Sequence, residues 1–223
     1  MSTASFDFII EALIASGIEK GGTMAGYPEK FEVLMGKAMP CLGTLKDPTA
    51  RARNLFEWLW RGKPGRYESR GKYRLNEVLD AQLSADAQAV GNCLGLTLLY
   101  NCLLRKMGIQ AGALHLEYAF NVGPHVLTLL PAGEREIEVE NILPDGFDYR
   151  GHLDNPGRVK WGDRELVADI YLSCGNEFFE KEEWSQSLKS YEKAISLYPT
   201  YEEAHLNKAI LLDKVRIIGS TFY

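Results

Sequence analysis

The sequence predicts an α+β chain: N-terminal helices, then a core in which one helix packs on an antiparallel sheet, then a C-terminal helical segment. Three observations carry this. A nearly continuous apolar stretch at 93–107, "CLGLTLLYNCLLRKM", reads as a helix buried almost all round. Three runs of strand composition follow it: "QAGALHLEYAF", "PHVLTLL" and "EIEVENI". From about Glu165 onward only helical patterning remains.

The elements follow in order. Residues 5–16 carry Phe6, Ile9, Ile10 and Leu13 at spacings of three and four, and Gly17, Gly21 and Gly22 break that helix. "YPEKFEVLMGKAM" is a second helix candidate, with Pro28 near its first turn. In "DPTARARNLFEWLWRG", Asp47 suits the N-cap, Pro48 the first helical position and Gly62 the stop. Its Leu55, Trp58 and Leu59, extended by Phe56 and Trp60, mark a face for the core. "GKPGRYESRGKYR" reads as a solvated basic loop, and "LNEVLDAQL" as a short helix. The apolar helix ends at Gly108 after Arg105-Lys106, a cationic pair that complements a helix C-terminus. In "EIEVENI", Ile137, Val139 and Asn141 face one way and Glu136, Glu138 and Glu140 the other. The short link "PAGER" makes the last two strands a hairpin. "LPDGFDYRGHLDNPGRVKWGD" is rich in turn residues and reads as an irregular linker or covering loop. The expected divisions are residues 1–48, 49–160 and 165–223.

The chain has 223 residues and a formal net charge of −5. That length suits one domain, alone or with a small appendage, and it buries a core without staples. The mild charge, with no run of five or more like charges, argues against a nucleic-acid partner. Asp7 and Glu11 interrupt the apolar residues near the N-terminus, which reads as neither signal peptide nor membrane span. The apolar run from Cys93 stops at Arg105, short of the roughly 20 residues a membrane helix needs. Cys41, Cys93, Cys102 and Cys174 form no C-x-x-C pair. No metal, no cofactor and no disulfide framework is expected, and a reducing, cytoplasmic compartment is the default.

Two of those cysteines share the apolar helix, with different prospects. Gly91-Asn92 precedes Cys93, which places it in the first turn, where open backbone N–H groups favour a thiolate. Cys102 lies nine residues on, across the helix, with Leu103 beside it, and reads as core. Gly95 is costly inside a helix, by about 1 kcal/mol against Ala. Close approach of a substrate or of another backbone would account for it, as would a tight helix–strand contact.

A thiol nucleophile needs a base, usually His, and a group that orients the base. His125 opens a strand, His115 lies within the preceding strand, His152 lies in the loop, and His205 belongs to the helical tail. A three-residue hairpin loop, 132–134, pairs apolar with apolar and sets His125 opposite Asn141. A four-residue loop, 131–134, sets Glu140 there instead. Both alternatives stay open.

A helix with an N-terminal Cys, a strand, a strand opening with His and a strand ending in an acid or amide: this order resembles the transglutaminase-like branch of the papain-like cysteine enzymes, over residues 50–145. "GNCLGLTLLYNCLLRKMGIQAGAL", "PHVLTLL" and "EVENILP" carry the likeness. The resemblance implies Cys93 as nucleophile, His125 as base and Glu140 as orienting acid; relatives that use an amide point to Asn141. Where the family has Asp this chain has Glu140, and Val126-Leu127 replace the family's aromatic residue after the His. The implied function is cysteine-dependent amide-bond chemistry on a peptide or protein: hydrolysis, deamidation or acyl transfer. The alternative is a non-catalytic interaction module on the same scaffold.

In the tail, Gly175, Phe178, Tyr191, Ala194 and Pro199 sit at tetratricopeptide-repeat offsets, with Ser187 where Ala is usual. The likeness covers one repeat, about 168–201, and the first helix of another. It implies a protein partner bound through the repeat helices.

Overall fold

A computed structural model describes residues 6–19, 24–43 and 45–220, so Gly21 and Gly22 lie outside the described residues. The chain falls into two compact units, Met1–Gly162 and Asp163–Tyr223. In the first, five helices precede a sheet: α1 (Phe8–Ala15), α2 (Gly26–Leu42), α3 (Pro48–Gly62), α4 (Leu75–Leu83) and α5 (Cys93–Lys106). The strands are β1 (Gly112–Ala119), β2 (Gly123–Ala132), β3 (Arg135–Val139) and β4 (Arg158–Trp161). All pairings are antiparallel, in the order β3-β2-β1-β4. The second unit holds α6 (Asp163–Glu180), α7 (Trp184–Leu197) and α8 (Glu202–Ser220).

Local chemistry sets the helix starts. Asp47 accepts the N–H of Ala50, with Pro48 at the first helical position. The apolar side of α3 is buried at Leu55, Phe56, Leu59 and Trp60. At α5 the cap is Asn92, whose Oδ1 accepts the Gly95 N–H at 3.0 Å. The Asn92 N–H itself goes to the Lys72 carbonyl at 3.0 Å. Every residue of α5 from Leu94 to Leu104 is buried. Cys102 is wholly so, as its position among leucines predicts.

The segment 63–74 is more than a solvated basic loop. Residue Tyr67 bridges Gly91 in parallel, and the Arg66 carbonyl accepts the N–H groups of Val90 and Gly91. Arg66 is buried with its guanidinium over the Trp60 ring at 5.8 Å, and burial pulls its pKa down to about 9. The loop clasps the entry to α5, and Gly95 is the residue that admits it. A Cβ there would lie 2.4 Å from the Lys72 carbonyl oxygen and 2.7 Å from the Val78 side chain. Of the explanations open from sequence, approach of another backbone is the one observed.

Two sequence expectations need correction. The hairpin loop is neither three nor four residues. Ala132 pairs with Arg135, which leaves Gly133 and Glu134 as a two-residue turn. Gly133, at φ +68°, takes the first central position, where such a turn calls for glycine. And the stretch read as an irregular loop contains β4, which pairs with β1 from Ala113↔Trp161 to Leu116↔Arg158.

In the second unit, α6 and α7 meet where Gly175 has no side chain. A Cβ there would lie 2.4 Å from the Tyr191 ring, and Ser187 donates to the Gly175 carbonyl at 2.9 Å. Between α6 and α8, Tyr201 donates its hydroxyl to Asp169 Oδ1 at 2.8 Å. Burial, helped by the charge of Glu203, outweighs that hydrogen bond and pushes the Asp169 carboxyl up to about 7.

Two predictions follow from these contacts. Gly95→Ala should lower stability by about 1–3 kcal/mol through overpacking, despite its better helix propensity. Gly36→Ala in α2, where a Cβ meets nothing within 4 Å, should be neutral or stabilising; urea midpoints compare the two. For Asp169 the folded pKa lies above the unfolded value of about 3.9. The stability that this acid's proton confers is therefore complete below pH about 4 and lost as pH rises through about 7. Asp169→Asn should thus unfold at higher urea than the parent at pH 8, by about 1–2 kcal/mol after solvent screening. The two should converge at pH 4.

Candidate functional site

The structure brings Cys93, His125 and Glu140 together and sends Asn141 elsewhere. Cys93 is the first residue of α5 and is partly exposed. The cap settles which backbone donors stay open beside it. Asn92's N–H is taken by Lys72 and Gly95's by the Asn92 side chain, which among the described residues leaves those of Cys93 and Leu94.

His125, on β2, is 6% exposed, and Glu140, just past β3, is 0% exposed. The His125 Nε2 lies 2.8 Å from Glu140 Oε2 and 3.0 Å from Oε1. Nε2 therefore carries the proton toward the carboxylate, which leaves Nδ1 as the nitrogen available to Cys93, a neighbour that acts to raise the His125 pKa. Burial alone would lower the His125 pKa. Hydrogen bonds to Cys93 and Glu140, with their charges, outweigh burial and raise it to about 9. Burial likewise works to raise the Glu140 pKa, and its bonds to His125 and His152 bring it below the usual carboxylate value.

Strand register explains the choice between Glu140 and Asn141. The pairs run from Thr128↔Val139 to Ala132↔Arg135. Continued by one step, Leu127 stands opposite Glu140, so Glu140 shares a face with His125, one diagonal away. Asn141 falls on the other face. Its Nδ2 donates to Thr128 Oγ1 at 2.9 Å and to Thr97 Oγ1 at 3.2 Å, and Thr128 donates to Asn101 Oδ1 at 2.7 Å. It ties α5 to the sheet and makes no bond to His125.

Three further residues at the site were not singled out from sequence. His152 is 5% exposed, and its Nε2 lies 2.9 Å from Glu140 Oε2. Its segment is stitched to β3: Glu140 N–H to the Gly146 carbonyl, and Tyr149 N–H to the Glu138 carbonyl. The Arg158 guanidinium also donates to the His152 carbonyl at 2.6 Å and to Glu138 at 2.7 Å. Tyr67 stands close enough to Cys93 and Glu140 that, after burial, their charges raise its phenol. The Phe120 ring packs T-shaped with His125 and His152, at 5.2 and 5.0 Å between ring centres. It does so from a turn with φ +52°, followed by Asn121 at +57°, a conformation costly for a bulky residue. The acid at Glu140 is signalled by residue type, but no local spacing ties 120, 152 and 67 to 93.

The other histidines stand apart. His115 stacks on Trp161 at 4.1 Å, and burial with the charge of His125 lowers it to about 4. His205 is exposed and bonds the Pro199 carbonyl. Among the described residues, one group has the donors to hold a metal ion: His125, Glu140 and His152, with ligand atoms all within 4.8 Å of one another.

Comparison with known proteins places residues 175–214 in the family model of the TPR repeat. No curated protein and no solved structure matches the chain. Among the described residues, no helix is long and apolar enough to cross a membrane.

The two faces of the 140–141 pair give separable outcomes. Asn141→Ala should cost about 1–3 kcal/mol, since it strips a partner from buried hydroxyls, yet leave Cys93 alkylation near the parent rate. Glu140→Gln should slow that alkylation. Denaturation midpoints and iodoacetamide kinetics on the same two variants check both.

Proposed function

We propose that the N-terminal unit is a cysteine-dependent amide-bond enzyme with a papain/transglutaminase-like core, in which Cys93, His125 and Glu140 are nucleophile, base and orienting acid. The observation that carries this reading is a single buried imidazole shared between a thiol at a helix start and a buried carboxylate. His125 Nδ1 takes the proton from Cys93 Sγ, and the sulfur attacks the amide carbonyl carbon. The oxyanion meets the open N–H groups of Cys93 and Leu94. The C–N bond then breaks as His125 returns the proton to the leaving amine, which leaves a thioester on Cys93. Water, or a second amine, attacks the thioester with His125 again as base and restores the thiol. Glu140 holds the ring with Nε2–H toward itself and stabilises the imidazolium.

The substrate class is a peptide or protein amide, and the TPR-matching segment supports a protein partner. A reducing compartment such as the cytoplasm suits a nucleophile that must stay a thiol.

Two measurements in EDTA-containing buffer test the reading. Iodoacetamide should label Cys93 well before Cys102, and His125→Ala should slow Cys93 about tenfold or more. A glutamine-containing peptide library, with and without an added amine, should yield cleaved, deamidated or amine-linked products that vanish in Cys93→Ser. If Cys93 reacts no faster than an ordinary thiol and no product exceeds that of Cys93→Ser, the proposal is wrong.

A further inference from the structure

Glu140 has a second imidazole that a Cys-His-acid mechanism does not require. Its partners are His125 Nε2, His152 Nε2 and, more weakly, the Ile142 N–H at 3.4 Å. A buried carboxylate is ordinarily matched by a fixed cation or several backbone donors. Here the nearby cation, Arg158, is engaged with Glu138 and with the His152 carbonyl. Two imidazole nitrogens and one carboxylate converge from three chain segments, with their ligand atoms within 4.8 Å of one another. Two nitrogens and a carboxylate oxygen form a donor set that suits zinc, at about 2.0–2.2 Å per bond. The surroundings suit it also. Phe120 and Tyr149 pack T-shaped against the histidines and supply aromatic neighbours of the kind found around metal sites.

We infer that His125 Nε2, the Glu140 carboxylate and His152 Nε2 form a binding site for a divalent transition metal of the zinc type, and that occupancy switches off the chemistry of Cys93. The binding half stands on the convergence of the three ligands. The switching half rests on the proposed role of His125.

The proton balance shows why metal and catalysis exclude each other. To ligate through Nε2, each ring must be neutral with its one proton on Nδ1: a ring protonated at Nε2 alone passes that proton to Nδ1, and a doubly protonated ring releases one to solvent. His125 would then present Nδ1–H toward Cys93 with its opposite nitrogen on the ion. It could not take up a thiol proton, nor release Nδ1–H to a leaving amine without becoming an imidazolate. Cys93 is not among the converging ligands.

The test uses the full chain and zinc alone, in competition with a chromophoric chelator. One equivalent should bind in the parent and in Cys93→Ser. Binding should weaken about tenfold or more in His152→Ala and in Glu140→Gln. Cobalt(II) in the unmutated protein, which needs no variant to fold, should give tetrahedral visible bands without a thiolate charge-transfer band. Zinc should slow Cys93 alkylation, and EDTA should restore it. Absence of binding, binding untouched by both variants, or a thiolate band would overturn the site. Alkylation indifferent to bound zinc would overturn the switch. If zinc binds as stated but Cys93 is inert even in EDTA, the catalytic proposal fails while the metal site stands.

Discussion

A carboxylate with no exposed surface is the constraint around which the N-terminal unit is arranged. Left alone in the interior, the Glu140 charge would cost several kcal/mol, and the group would hold its proton instead. Its pKa is nonetheless below the usual value, because two imidazoles meet it. That compensation fixes three segments at once: the start of β2, the end of β3 and the loop leading to β4. The Arg158 contacts with Glu138 and with the His152 carbonyl then hold that loop against the sheet. The charge thus joins the buried Ile142 and Phe147 in deciding where this loop lies.

The second fixed point is the start of α5. A capping asparagine, the Lys72 carbonyl and the absence of a Gly95 side chain define it together. Each is ordinary alone. In combination they consume two of the four backbone donors of a helix start and leave two beside a cysteine. The clasp also brings Tyr67 to the site, so the segment that shapes the entry to α5 supplies one of its walls.

How much of this was legible follows from the range of the interactions. Caps are local, so Asp47-Pro48 and Gly91-Asn92 announced α3 and α5 from sequence. Residue type and order were enough to single out Cys93, His125 and the 140–141 pair. Register was not legible. Matching apolar pairs favour a loop of three residues, four is the alternative, and the chain uses two; the glycine-first turn that permits it lies in "AGER". The four-residue alternative still put Glu140 beside His125 because it errs by two positions, and an error of two preserves the face. The three-residue alternative errs by one, and so would have exchanged Glu140 for Asn141. His152 and β4 were hidden for a different reason. They are held by contacts between segments far apart in sequence, inside a stretch whose glycines and prolines read as loop.

Adjacent polar residues at the end of a strand thus have different tasks. Glu140 and Asn141 differ by one position and so face opposite sides of the sheet. On one side the acid meets His125 and His152. On the other the amide joins Thr97, Thr128 and Asn101, a chain of hydrogen bonds between α5 and the strands. Thr97 also donates to the Val126 carbonyl, next to His125 in β2. The helix that begins with Cys93 is therefore tied to the residue after the base through one face, while the base is aligned through the other. A slip of the strand would break both sets of bonds together. The alignment of thiol, imidazole and carboxylate is thereby a property of the sheet register, set by the same pairing that buries the core.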